Sequence, residues 1–334
     1  MIRTATLALA LVLLAGCQPA PQATASPRPT AAQTLPPPAQ RTGPVGSTQR
    51  PLVMALLPSQ DAARASASGK AIATALEKAT SLQWEVSVPT SSSTTIEQMC
   101  AGETDIAWLA PLAAVTARAK NCGEPLVAGL RNDPTVGAPS VTYQLQLLVR
   151  AGSGIGALKD LKGKKIALVQ GASAPGSLAV MAQVRKDTGA DPRSFFSQTI
   201  YAGDDEKAVL AVYQGQVDAA GVVVDARDAV SKTFPDVKQR TQRIATIGPV
   251  PNDGVSARRA LAADVRDKVE KALIDYSKTD DGKKALKALY AIDGLDKIDA
   301  KLYDPLLEAA RLMGVDLDRE AAATARPAPS PTKP

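Results

Sequence analysis

The stretch that decides the fold is TDIAWLAP, residues 104–111. Residues 105–109 are mostly apolar and predict a buried strand, and Pro111 suits the first turn of a helix that we expect to reach Lys120. The same order of strand and helix recurs along the chain. Such alternation favours an α/β fold in which helices flank parallel strands.

Apolar runs bounded by turn residues predict the other elements. The predicted strands are residues 52–57, 84–88, 141–149, 165–169 and 217–224. The predicted helices are residues 61–79, 94–101, 175–187, 204–214, 260–278 and 282–290, with one more starting at Asp225. Ligands of such sheets bind beyond the carboxyl ends of the strands, beside helix starts.

The N-terminus predicts export. Arg3 precedes an apolar run over residues 6–15 that is too short to cross a bilayer and is bounded like a signal peptide. The run ends in LAGC, residues 14–17, which resembles a bacterial lipobox and implies a signal peptide of residues 1–16 and acylation of Cys17. The alternative is an ordinary signal peptide with an accidental cysteine. We expect an extracytoplasmic protein, anchored by lipid to a membrane of the cell envelope.

Both ends of the mature chain are predicted to be disordered. Residues 17–50 are rich in Pro, Ala and Thr, residues 321–334 contain four prolines, and neither segment has an acidic residue. Such segments bury too little apolar surface to offset their ordering entropy, so we expect a tether and a tail. Basic residues at the two ends account for the net charge of +6, since residues 51–320 hold as many acids as bases.

Composition excludes several functions. The balanced folded part has no basic footprint for nucleic acid, and 3% aromatic residues provide few platforms for stacking bases. The chain contains no histidine, which excludes Ser-His-Asp and Cys-His pairs and histidine-based metal centres. Residues 163–165 lack the upstream glycine of a P-loop. We therefore expect no enzymatic step, no cofactor and no metal.

If Cys17 is acylated, Cys100 and Cys122 are the two remaining cysteines. Each lies near a predicted helix end, and disulfides persist in an oxidising compartment. We expect a bridge between them, with two buried free thiols as the alternative.

A series of motifs between residues 104 and 261 follows a recognisable order. The motifs are TDIAWL (104–109), Tyr143, VRAGSGI (149–155), LKDLKGKKIA (158–167), GDDE (203–206), AVYQGQVDAA (211–220), PVPND (249–253) and RRAL (258–261). This order resembles the phosphate/phosphite/phosphonate solute-binding proteins of ABC transporters over most of residues 52–290. The resemblance implies a two-lobe type II periplasmic-binding-protein fold. Each lobe would be a mixed, mostly parallel sheet flanked by helices, and two hinge strands would join the lobes.

The same resemblance implies lobe boundaries. Lobe 1 would comprise residues 51–140 and 245–320, and lobe 2 residues 141–244. The chain would cross between lobes near residues 139–143 and 243–248. Closure of the lobes around a solute would be the working motion.

The family's Ser-Thr-Ser-Gly anion loop falls on SAPG, residues 173–176. Only Ser173 and Gly176 match it, with Ser177 following. Backbone amides at a helix start bind anions without side chains, although Pro175 removes one such donor. We expect solute contacts from Ser173, Gly176 and Ser177.

Carboxylates stand at other positions of the implied cleft. A family histidine that contacts the anion is replaced by Asp205, and Asp225 and Asp253 match acids that receive a ligand amine in related proteins. Tyr143 matches a ring that lines the cleft, and Ser92 lies in a serine-rich loop that would face it. These five residues complete the set of candidate solute contacts.

Each candidate also has a structural interpretation. Asp204, Asp225 and Ser173 are typical helix N-caps, and Asp205 suits a solvated first turn. Trp108 is expected in the core beside other apolar strand residues.

We therefore expect a lipid-anchored, monomeric binding protein that captures a phosphate-, phosphite- or phosphonate-like solute and delivers it to an ABC permease. Three candidate carboxylates and no histidine favour, as an alternative, an amine-bearing or cationic solute. A sensory lipoprotein on the same fold is the other alternative.

Overall fold

The structure, a computed structural model, describes residues 43–58, 61–171, 174–224 and 226–319. Strands and helices alternate, with two mixed sheets. The strands are β1 (Leu52–Ala55), β2 (Trp84–Ser87), β3 (Ile106–Leu109), β4 (Gly123–Asp133), β5 (Ala138–Ser140), β6 (Thr142–Arg150), β7 (Lys165–Leu168), β8 (Gln198–Tyr201), β9 (Ala219–Val223), β10 (Thr241–Pro251), β11 (Gly254–Arg258) and β12 (Gly294–Lys297). The helices are α1 (Ala62–Thr80), α2 (Ser92–Ala101), α3 (Pro111–Ala119), α4 (Pro175–Thr188), α5 (Pro192–Phe195), α6 (Asp205–Tyr213), α7 (Ala226–Ser231), α8 (Val237–Arg240), α9 (Ala263–Lys278), α10 (Asp280–Tyr290) and α11 (Asp304–Leu312).

The first sheet has the strand order β12-β4-β11-β3-β1-β2, with β5 paired to β4. Its central strands β1 and β3 are apolar and buried on both faces, as expected for a sheet covered by helices on both sides. Ile106 and Trp108 join the core formed with α1, α9 and α10, whereas Ala107 and Leu109 face the core that contains α2 and α3. The expectation that Trp108 is a core residue is confirmed, since the residue is 1% exposed.

The second sheet has the order β10-β6-β9-β7-β8. Leu147 and Ile166 face α4, and Leu148 and Ala167 face the core that contains α6. The mixed α/β architecture with two sheets is confirmed. The expected predominance of parallel pairs is not found among the described strands, where four pairings are parallel and six antiparallel. Four of the antiparallel pairings involve β6 and β11, the strands that follow the two chain crossings, and the other two join β4 to β5 and to β12.

The chain passes between the two sheets at two adjacent points. It leaves the first sheet after Ser140 and returns after Pro251, because β10 stays paired with β6 as far as the Pro251–Thr142 pair. The second crossing therefore lies later than the predicted residues 243–248. Asn252 joins the crossings, since its side-chain amide donates to the carbonyls of Gly129 at 2.9 Å and Ser140 at 3.0 Å.

The folded region begins before the predicted end of the tether at Arg50. The N–H of Gly46 donates to the carbonyl of Arg50 at 2.7 Å, and the N–H of Gln83 donates to the carbonyl of Gly46 at 2.8 Å. Residues 43–50 therefore form a turn that extends the edge beside β2. The signal peptide, Cys17 and the tail 321–334 lie outside the described residues.

A disulfide joins Cys100, near the end of α2, to Cys122, which directly precedes β4. The two Cα atoms are 4.9 Å apart. The predicted bridge is thus present, and it fixes α2 to the first sheet. None of the helices in the described part of the chain has the length and apolar character needed to cross a membrane.

Candidate functional site

Helix starts gather at the carboxyl ends of the parallel strands. In the second sheet, β7 and β8 are parallel and lead into α4 and α6. In the first sheet, β2 lies parallel to β1 and leads into α2. Polar residues at these helix starts are therefore positioned along the sheet edges where α/β proteins bind ligands.

Tyr143 on β6 stands at the centre of a polar cluster. A Cβ added to Gly176, at the start of α4, would lie 3.9 Å from the Tyr143 hydroxyl oxygen. Burial is the main cause that raises the pKa of Tyr143, the negative charges of Asp253 and Asp205 raise it further, and Arg131 lowers it. The structure thus brings together four predicted site residues from separate parts of the chain: Tyr143, Gly176, Asp205 and Asp253.

Asp205 is the first residue of α6 and is half-buried. Its Oδ1 atom accepts a hydrogen bond from the backbone N–H of Val223 at 2.8 Å. Burial raises the pKa of Asp205, the Val223 hydrogen bond lowers it, and the adjacent Asp204 raises it. Asp205 is therefore held against the end of β9 and is not a fully solvated first-turn acid.

Asp204 has the capping role that its position predicts. Its side chain accepts from the N–H of Lys207 at 2.8 Å, and the Lys207 ammonium lies 2.7 Å from its other oxygen. The Lys207 side-chain contact is the first cause that lowers the pKa of Asp204. Adjacent carboxylates thus have opposite pKa shifts because one is buried and the other is paired.

Asp253 lies beside the second chain crossing and faces residues of both sheets. Its Oδ2 atom is 3.7 Å from the Arg131 guanidinium on β4, and that guanidinium also donates to the carbonyl of Tyr290 at 3.0 Å. Asp253 raises the pKa values of Tyr143 and Tyr290, in each case after the larger effect of burial. The Asp253 carboxylate therefore has a partial cationic partner and aromatic neighbours.

Arg131 and Tyr290 are site residues that the sequence patterns did not reveal. Arg131 sits in a strand, and Tyr290 ends α10 with its ring centroid 4.5 Å from that of Trp108. Both reach the site only through tertiary contacts. The one available signal was an aromatic residue at a helix end in a chain with few aromatic residues.

The start of α4 differs from that of α2. Ser177 Oγ donates to the carbonyl of Gln170 at 2.7 Å, and Pro175 at the first position has no N–H. In α2, Ser91 caps the helix by accepting from the N–H of Thr94 at 3.1 Å. Ser92 is 1% exposed, and its hydroxyl has no hydrogen-bond partner within the described part of the chain.

Two candidate residues, Ser173 and Asp225, lie outside the described residues. Among the residues that are described, no three Cys, Asp or Glu side chains form a group able to hold a metal ion.

Comparisons with known proteins agree with this architecture. Residues 54–303 match the family described as "ABC transporter, phosphonate, periplasmic substrate-binding protein". The chain is 31% identical over 193 residues to the "Phosphate-import protein PhnD" of Mycolicibacterium smegmatis. The aligned region covers 55% of this chain and 58% of that protein. It is 28% identical over 200 residues to the "Phosphonates-binding periplasmic protein" of Escherichia coli, covering 58% of this chain and 56% of that one. The matches thus span little more than half the length of these relatives.

Solved structures share the fold at low identity. XAC2383 from Xanthomonas citri, bound to ATP, has a TM-score of 0.56 at 17% identity over 81% of this chain and 98% of that chain. Transferrin 1 from Manduca sexta has a TM-score of 0.57 at 13% identity over 79% of this chain and 46% of that chain. The two-sheet fold and the family match over most of the described residues lead to one conclusion: the chain belongs to the periplasmic substrate-binding protein family of ABC phosphonate transporters, a family of transport proteins and not of enzymes.

Proposed function

We propose that this protein is the lipid-anchored solute receptor of an ABC importer. It captures a phosphate-, phosphite- or phosphonate-like solute between its two sheets and delivers it to a permease. The proposed lobes are those that the resemblance implies, residues 51–140 with 245–320 and residues 141–244, except that residues 245–251 go with the second lobe because β10 extends to Pro251. The proposed solute contacts are Ser92, Tyr143, Ser173, Gly176, Ser177, Asp205, Asp225 and Asp253.

The observation that carries this proposal is the meeting of Tyr143, the start of α4 and Asp253 at the chain crossings. Tyr143 comes from the second sheet, whereas Arg131, the partner of Asp253, comes from the first. A small solute at this point contacts both halves of the molecule. Contacts to both halves favour a closed arrangement in the bound state, which is how a binding protein signals occupancy to a permease.

The second candidate function is binding of an amine-bearing or cationic solute. Asp205 and Asp253 both act on Tyr143, so two carboxylates lie near one ring. Carboxylates and aromatic faces attract ammonium groups, whereas an anion beside them needs a cation or a proton to offset the repulsion.

Thermal unfolding and calorimetric titration of the full chain test both candidates. The solutes are phosphate, phosphite, methylphosphonate and ethylamine. A true solute stabilises the folded state by RT ln(1 + [L]/Kd), so the melting temperature rises with the logarithm of the solute concentration once that concentration exceeds Kd. Tyr143→Phe should weaken binding, whereas Tyr201→Phe, a change at a 45%-exposed tyrosine on β8, should not. Binding of ethylamine alone would overturn the phosphonate assignment, and binding of none of the four would overturn the proposal.

A further inference from the structure

We infer that a basic surface at the amino edge of the second sheet docks on a membrane surface that carries anionic lipid headgroups. This surface, named the lysine edge, consists of Arg150, Lys159, Lys162, Lys164 and Lys165. The inference goes beyond the proposed function, because it concerns the orientation of the protein on a membrane and holds for any solute.

The lysine edge lies at the end of the second sheet that is remote from the candidate solute site. β7 begins at Lys165, and β6 ends at Arg150. Val149 and Ile166 both pair with Ala219, the first residue of β9, so the two cations flank the start of that strand. The candidate site lies at the opposite ends of the strands, where β7 and β8 lead into α4 and α6.

The turn before β7 is fixed to the sheet. A short 3-10 helix over residues 158–161 precedes the turn and buries its two leucines. The N–H of Gly163 donates to the carbonyl of Phe195 at 2.8 Å, and the N–H of Ser197 donates to the carbonyl of Lys164 at 3.0 Å. The lysine side chains therefore extend from a backbone that the start of β8 holds in place.

The cations of the lysine edge are available to a partner. All five are exposed, and none forms an ion pair with an acid among the described residues. The two nearby acids bind backbone groups instead. Asp160 accepts from the N–H of Ala157 at 2.9 Å, and Asp218 accepts from the N–H of Lys165 at 2.8 Å.

The positive charge is concentrated locally in a neutral domain. Residues 51–320 contain as many acids as bases, whereas residues 150–165 contain five bases and one acid. The loop of residues 151–154 has the sequence AGSG and is exposed. Its small side chains allow a flat surface to approach the flanking cations closely, and a local excess of one charge attracts surfaces of the opposite sign.

The chemistry of these side chains favours a lipid surface. Four of the five are lysines, whose ammonium groups are separate point charges on flexible stems. A layer of anionic headgroups presents many mobile charges over an area, and clusters of basic residues beside a membrane bind such layers. Nucleic acid that is recognised through its bases needs aromatic platforms, which the lysine edge lacks.

The proposed lipid anchor keeps this surface close to a bilayer. From an anchor at Cys17, residues 18–42 lead to the first described residue, Gly43, and a chain of this length spans at most about 90 Å. Attachment within that distance gives a high effective concentration, so weak contacts are sufficient for docking. With the lysine edge on the lipid, the solute-binding end of the second sheet faces away from the bilayer.

Binding to vesicles tests the inference. The full chain carries Cys17→Ser, so that no acyl chain contributes, and is sedimented with vesicles of phosphatidylcholine alone or with phosphatidylglycerol in equal parts. We expect binding to the anionic vesicles only, and it should weaken as the salt concentration rises. Each lysine near an anionic surface contributes about fivefold to binding, so changing Lys159, Lys162, Lys164 and Lys165 to glutamine should weaken binding about a hundredfold or more.

A second quadruple variant is the matched control. It removes the same total charge from four other exposed lysines that form no ion pair among the described residues and lie outside the second sheet. These are changed to glutamine at Lys268, Lys283, Lys284 and Lys301. The control should bind anionic vesicles like the parent chain. Both variants should keep the parent's melting temperature, because exposed unpaired lysines contribute little to folding.

Chemical labelling of lysines gives an independent measurement on the wild-type chain. The protein is attached to each kind of vesicle, exposed to an amine-acetylating reagent and analysed by peptide mass spectrometry. On anionic vesicles, the four lysines of the lysine edge should react more slowly than on phosphatidylcholine vesicles. Lys283 and Lys284 should react equally fast on both.

The outcomes distinguish this inference from the proposed function. Equal binding to both kinds of vesicle, or an equal loss of binding in both quadruple variants, would overturn the inference, because neither result depends on the lysine edge. Absence of binding to anionic vesicles would also overturn it, as would unchanged labelling of its lysines. None of these results would alter the solute titrations, and a failure of those titrations would leave membrane docking intact.

Discussion

The Oδ1 atom of Asp205 accepts a hydrogen bond from the Val223 N–H at 2.8 Å, so the start of α6 is fastened to the end of β9. This contact places a half-buried carboxylate beside Tyr143 and gives the site a charge that responds to pH.

Asp205 should make the folded state less stable as the pH rises. Its pKa in the folded protein is raised above 3.8, so just above that pH the folded state binds more protons than the unfolded state. Stability is therefore lost between pH 3.8 and the higher pKa of the folded state. Asp205→Asn keeps an acceptor for the Val223 N–H and removes this loss. The melting temperature of the variant, relative to that of the wild type, should therefore increase as the pH rises through this range.

Asp204→Asn is the control for that measurement, with the opposite sign. The pKa of Asp204 is lowered by Lys207, so its ionised form contributes stability that is lost as the pH falls below 3.8. The melting temperature of Asp204→Asn should fall furthest below that of the wild type at neutral pH. Parallel pH profiles for Asp205→Asn and the wild type would contradict the assigned pKa direction.

Reduction of the Cys100–Cys122 bridge should destabilise the protein. The bridge closes a loop with a sequence separation of 22, and the chain-entropy argument gives roughly 3 kcal/mol for a loop of that size. Urea unfolding with and without reductant measures the effect. The double variant with both cysteines changed to serine should unfold like the reduced protein and should not respond to reductant.

Asp105→Ala should lower stability without changing solute affinity. Asp105 is 3% exposed in its side chain and pairs with Arg258 at 2.8 Å, at the amino end of β3, away from the helix starts. Removal of one partner of a buried pair costs about 3–5 kcal/mol. In contrast, Asp275→Asn at an exposed pair with Lys271 should leave the urea midpoint almost unchanged. A loss of affinity in Asp105→Ala, measured under folding conditions, would connect this pair to the site.

We expect a lipid anchor at Cys17, because the LAGC sequence of residues 14–17 resembles a lipobox. In bacterial cells that express the full chain, the wild-type protein should fractionate with membranes, and Cys17→Ser should appear in the soluble extracytoplasmic fraction. Mass spectrometry of the purified N-terminal peptide should detect an acylated cysteine. An unmodified Cys17, or equal fractionation of both proteins, would favour the ordinary signal peptide.

Local sequence patterns predict part of this fold. The apolar runs predict β1, β2, β3, β6, β7 and β9 to within a few residues, because buried strands between helices are short and continuous in character. The apolar runs do not predict β4, β8, β10, β11 or β12. In β10, Gly248 and Pro249 interrupt the pattern, and the strand exists because β6 is available as a partner.

The candidate site, like the fold, is only partly predictable from local sequence patterns. The acids at the start of α6 are visible as a helix-start pattern, and Asp204 indeed caps the helix. The contact of Arg131 with Asp253 has no local signal, since the two residues meet across strands that the sequence places far apart. Contacts of this kind depend on the packed sheet and not on any short motif.

The position of β11 between β3 and β4 also governs how the chain is completed during synthesis. A nascent polypeptide that ends before Gly254 leaves facing edges of β3 and β4 without their shared neighbour, and the whole of the second sheet is made in the interval. Long-range pairing of this kind delays folding until late in translation. The first sheet can therefore be completed only after every strand of the second sheet has been synthesised.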